Sequence, residues 1–176
     1  MSTDSRQTKP VEPRASDEEV NHAAYVEAWL RRAAPNAKSL PSARLVSLFQ
    51  RAMDALWQRA ENTLGEVTLA AIVDRVLYTA SEQHSFLSTL KVDDSGVSFD
   101  GLREQGAVPR DVDLAGVVSF VLAELLTVLG NLTDEILTPA LHGELARITL
   151  EEPATTERDD DDDGAKERMR GKRVTP

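Results

Sequence analysis

Cysteine is absent from the 176 residues, which excludes disulfides, thiol nucleophiles and thiolate metal sites. Aromatic residues make up only 5%, so Leu, Val and Ala must fill the core that an apolar fraction of 41% allows. No unbroken apolar run reaches the roughly 18 residues of a membrane span. Residues 1–14 are polar, carry Pro10 and Pro13, and lack the apolar stretch of a secretory signal. Basic charge is in deficit, 20 Lys and Arg against 30 Asp and Glu, for a net charge of −10. Phosphate contacts need a concentrated basic face, and an anionic bilayer attracts one. Neither nucleic acid nor a membrane is therefore expected as a partner, and a soluble cytoplasmic protein is. Lysine is scarce beside arginine and alanine and valine abound, a composition that points to a GC-rich bacterial genome.

The charge that is present divides unevenly. Residues 1–40 hold six bases and six acids, whereas residues 41–150 hold eight bases against fifteen acids. Residues 151–176 carry Asp159, Asp161 and Asp163 in an unbroken acidic run, then Lys166, Arg168, Arg170, Lys172 and Arg173. With almost no apolar side chains, this stretch cannot offset the entropy of ordering. The sequence therefore divides into a disordered segment 1–16, a helical domain 17–150 and a disordered tail 151–176.

Helical periodicity dominates the domain. Ser16 with Glu19 forms a capping box ahead of a weakly apolar first helix carrying Val20, Ala24, Tyr25 and Trp29, ended by Pro35. A second helix opens with Pro41 in its first turn. It carries Leu45, Leu48, Phe49, Ala52, Met53, Leu56 and Ala60 on one face and stops at Gly65. A third, over 68–87, buries Leu69, Ile72, Val73, Val76, Leu77 and Ala80 and turns Arg75, Tyr78 and Glu82 outward. Leu90-Lys91-Val92 and Val97-Ser98-Phe99 alternate about an Asp93-Asp94-Ser95-Gly96 turn, a hairpin signature. Over 114–129, capped by Asp111 or Asp113, Val117, Val118, Val121, Leu122, Leu125, Leu129 and Leu132 share a broad face. Gly116, Ser119, Ala123, Thr127 and Gly130 share a narrow one, where another backbone can approach closely. The same phase reaches Ile136, which makes Gly130-Asn131 a kink. A last short helix follows, capped by Thr138, with Leu141, Leu145 and Ile148. The expected fold is all-α, an antiparallel bundle of four to five helices with one small hairpin, and its long apolar helices favour a homodimer.

Motifs that carry chemistry are few. Asp159, Asp161, Asp163, Gly164 and Glu167 fit a calcium loop, but Arg170 stands where a bidentate glutamate belongs, so a solvated charge run is expected. Gly96-Val97-Ser98-Phe99-Asp100 departs from a nucleophile elbow at its final position and lacks the strand–turn–helix setting. Phosphate-cradling glycine loops are absent. Among His22, His84 and His142 no two stand one helical turn apart, so no metal pair is expected. Histidine phosphotransfer domains place an exposed His ahead of Lys three residues on and Gly four on. His84 is followed at those positions by Leu87 and Ser88, and His142 by Leu145 and Ala146. Glu124, between the two faces of its helix, needs water or a partner. The expectation is a non-enzymatic signalling adaptor or regulatory subunit that binds another cytoplasmic protein through Arg75, Tyr78 and Glu82, without a cofactor. Its alternatives are phosphotransfer on His84 or His142, and a small-molecule sensor with its pocket between the third helix and 114–129.

Overall fold

The computed structural model describes residues 21–104 and 107–150. Its described part is mostly helical, with a two-stranded antiparallel sheet. The segment of the Ser16–Glu19 capping box and the acidic run lie outside the described residues.

Helix α1 (His22–Ala33) starts at His22, and its cap is Asn21, whose side chain accepts from the Ala24 amide at 2.9 Å. Helix α2 (Ser42–Leu64) follows Pro41, which sits one position outside the helix. Its face from Leu45 to Ala60 is buried as periodicity dictates, and Trp57 is buried with it. Helix α3 (Glu66–Gln83) begins immediately beyond Gly65, which both ends α2 and precedes α3. Gly65 has φ 76° and ψ 155°, a region that a side chain makes strained, so one glycine turns the chain between two long helices.

The third helix is shorter than its period predicts. It ends at Gln83, with His84 at the cap, and Phe86 and Leu87 are buried from a 3₁₀ turn, Ser85–Thr89. The hairpin strands β1 (Lys91–Asp93) and β2 (Gly96–Ser98) pair Lys91 with Ser98, Val92 with Val97 and Asp93 with Gly96. Ser95 donates from its amide and hydroxyl to Asp93 Oδ1, fixing the turn and holding the Asp93 carboxyl below its ordinary pKa. A lone hairpin is marginal in water. This one rests on α2 and α3, and Phe99 meets Phe49 edge to face at 5.2 Å.

A four-residue helix α4 (Asp100–Arg103) leads towards α5 (Leu114–Leu132), which Asp113 caps by accepting from the Gly116 amide at 3.2 Å. The broad face of α5 is buried from Val117 to Leu129, and the helix packs against α1, α2, α3 and α6. The expected continuation fails. α5 stops at Leu132 instead of kinking at Gly130-Asn131, Asp134 and Glu135 take left-handed φ of 49° and 60°, and Leu132 and Ile136 are 57% and 79% exposed. Two left-handed residues reverse the chain, so Ile136 loses the helical phase that placed it inside.

Helix α6 (Thr138–Arg147) has Pro139 in its first turn and buries Leu141 and Leu145, with Ile148 buried just beyond. Thr138 does not cap it; the Thr138 hydroxyl donates to the Glu135 carboxylate. By its length of 19 residues and a mean hydropathy of 1.8 over an 18-residue window, α5 is apolar enough to cross a membrane. More than half of that stretch is buried among the other helices, as in the central helix of a packed core.

Candidate functional site

Two features on different faces of α1 stand out. The first is a groove between α1 and α5. Small side chains leave it open: Gly116, Ser119 and Ala123 floor it on α5, with Phe120, 37% exposed, at its edge. Across from them stand Ala23, Leu30 and Ala34, with charges from Glu27, Arg31, Lys38 and Asp113 around the rim. The groove has a volume of about 920 Å³ and is open to solvent. The narrow face of α5 thus serves several purposes along its length. A Cβ at Gly116 would stand 2.9 Å from the capping carboxylate of Asp113, and one at Gly130 would stand 2.7 Å from the carboxylate of Glu135. The half-buried Thr127 returns its hydroxyl to the Ala123 carbonyl at 2.8 Å. Of this face, Gly116, Ser119 and Ala123 line the groove.

The second feature is a polar corner where α1 meets the C-terminal segment. Tyr25, Trp29 and Ala33 recur every four residues and so share one face of α1. Each is bonded to that segment. The Tyr25 hydroxyl donates to the His142 carbonyl at 2.6 Å, Trp29 Nε1 to the Ile148 carbonyl at 3.2 Å, and the Leu150 amide to the Ala33 carbonyl at 3.2 Å. One turn earlier, His22 is buried with 4% exposure, and its Nδ1 lies 3.3 Å from His142 Nε2. The far nitrogen of His22, Nε2, has no hydrogen-bond partner among the described residues and stands 3.6 Å from the Glu135 carboxylate. The Tyr25 ring stacks on His142 at 3.6 Å, nearly parallel.

Electrostatics follow from this crowding. Burial holds the His142 pKa below the ordinary value, the neighbouring His22 adds to that, and Glu135 opposes it. Burial raises the Tyr25 pKa, with Arg32 acting in the other direction. On α2, burial raises the pKa of the Asp54 carboxyl, against a hydrogen bond from Gln50 and the charge of Arg103.

The residues singled out by sequence separate. Arg75, Tyr78 and Glu82 do lie together on the exposed face of α3, with Tyr78 60% exposed. His84 is half-buried at the end of α3, its ring 6.1 Å from Phe86, and is not part of a helical stripe. Glu124 is half-buried, and no described residue is hydrogen-bonded or ion-paired with it. Ser98 does stand between a strand and a short helix, but its hydroxyl donates to Asp100 at 3.2 Å. No group of three His, Cys, Asp or Glu among the described residues could hold a metal ion. The groove of about 920 Å³ lies against α1, and no residue of α3 lines it. Sequence reasoning missed His22 and Glu135 because 120 residues separate His22 from His142 and 113 separate it from Glu135. Comparison with family models, curated proteins and solved structures finds no match for this chain.

Proposed function

We propose that the chain is a non-enzymatic interaction module, an adaptor or regulatory subunit of bacterial cytoplasmic signalling, that seats an amphipathic helical segment of another protein between α1 and α5. It would do so as an antiparallel helical bundle. The observation that carries the reading is the open groove floored by Gly116, Ser119 and Ala123. Small residues let a second backbone come close, and helix-in-groove binding needs such an apolar trough. The rim carries two carboxylates, Glu27 and Asp113, and two cations, Arg31 and Lys38. Charge complementarity therefore favours an occupant with both signs along its polar side, rather than a purely acidic or basic peptide. The outward face of α3, with Arg75, Tyr78 and Glu82, is the competing surface.

The test uses a partner captured from the source cells and then purified. Filling the groove with Ala123→Phe or Ser119→Trp is expected to weaken its binding at least tenfold, while Arg75→Ala with Tyr78→Ala leaves it unchanged. The reverse pattern moves the interface to α3 and overturns the groove reading. So does a concentration-dependent mass showing that a second copy of the chain occupies the groove.

A small-molecule sensor is the second reading, because about 920 Å³ lies within the ordinary range of ligand pockets. A ligand of the native state raises the melting temperature, so a metabolite screen that shifts the parent chain but not Ser119→Trp would favour it.

A further inference from the structure

We propose that His142 is a phosphoryl-accepting nucleophile whose Nδ1 is prepared for attack by His22 and Glu135. His22 is buried, and the acceptor nearest its Nε2 is the Glu135 carboxylate, so the hydrogen of the neutral ring belongs on Nε2. His22 Nδ1 is then an acceptor. The 3.3 Å contact requires His142 Nε2 to donate to it, which leaves the lone pair of His142 on Nδ1. Burial keeps His142 in its neutral form, and the ring is itself only partly buried. The described residues supply no partner for Nδ1. The stacked Tyr25 ring covers one face of the imidazole and fixes its plane. Arg32, which acts on the Tyr25 hydroxyl, brings a cation to this corner.

The step balances. The Nδ1 lone pair of His142 attacks the phosphorus of a phosphoramidate or acyl phosphate. An N–P bond forms, the bond from phosphorus to the leaving nitrogen or oxygen breaks, and the leaving group departs with that electron pair. The ring then loses its Nε2 proton to His22 Nδ1, and the resulting imidazolium carries its second N–H towards Glu135. His22 and Glu135 act as positioning residues in this scheme, through His142.

Two measurements on the full chain test it. Nitrogen-detected NMR of the imidazoles is expected to show hydrogen on Nε2 and a bare Nδ1 in His142; the opposite tautomer overturns the proposal without any variant. Incubation with phosphoramidate, followed by acid-free mass spectrometry, is expected to place phosphate on His142 about tenfold faster than on His84. His22→Ala and Glu135→Gln are each expected to remove most of that advantage, Glu135→Asp to restore part of it, and His84→Ala to leave it intact. Equal labelling of His84 and His142, or an undiminished rate in His22→Ala, overturns it.

Discussion

The α2–α3 region and the clasp between α1 and the C-terminal segment are built differently. α2, α3 and the hairpin meet through apolar side chains: Phe49 on Phe99, with Leu56, Leu69 and Val73 buried around them. α1 is bound to residues 142–150 by polar contacts at steps of three and four residues, from His22 and Tyr25 through Trp29 to Ala33. Apolar packing is dispersed over many neighbours, whereas a clasp of discrete bonds can release as a unit. α2, α3 and α5 thus meet through the core alone, whereas α1, which also packs against α5 and buries Val26, Trp29 and Ala33, adds a row of discrete bonds to the C-terminal segment and forms one wall of the groove.

Substitutions should separate the two regions, beginning with the largest effect. Phe49→Ala removes a fully buried ring and is expected to lower stability by about 3–5 kcal/mol in chemical denaturation. A loss under about 1 kcal/mol would place Phe49 outside the rigid core. Trp29→Phe keeps most of the apolar volume but leaves the buried Ile148 carbonyl unpaired, for about 1–3 kcal/mol. Faster amide exchange should then appear in 142–150 but not in α2 or α3. Gly65→Ala meets no neighbour within 4 Å, so its cost is backbone strain alone, about 1–3 kcal/mol.

Acid should act on the clasp through His142. The folded-state pKa of His142 lies below its ordinary value of 6.5, so an unfolded chain takes up protons first as pH falls. The stabilisation is complete above the unfolded-state pKa and is lost as pH drops through the lower folded-state value. A melting temperature that declines over that interval in the parent chain, and declines less in His142→Gln, is expected. A profile that is the same in both would assign the acid sensitivity elsewhere. Smallest of all, Tyr78→Ala on the exposed face of α3 should change stability by no more than about 0.5 kcal/mol.

The two regions also differ in how far sequence discloses them. The buried face of α2, the glycine between α2 and α3, the hairpin and the Asp113 cap follow from local rules: a 3.6-residue period, a left-handed glycine, a turn and an acidic N-cap. Those rules failed where the chain reverses after α5. Asp134 and Glu135 adopt positive φ without glycine, held where Gly130 leaves room for the Glu135 carboxylate and Thr138 donates to it. The narrow face of α5 was legible as a row of small residues, but its uses were not. One end accommodates a cap, the other a carboxylate, and the middle opens into the groove. His22 was unreadable as part of a site because nothing in its neighbourhood along the chain resembles its neighbourhood in space.

Amide shift mapping of the isotope-labelled chain, titrated with its purified partner, tests most directly whether the α1–α5 trough is the working surface. The account predicts that the signals of Leu30, Arg31, Ser119, Phe120 and Ala123 move together and saturate at one affinity. Shifts confined to Arg75, Tyr78 and Glu82, with the trough unmoved, would contradict it.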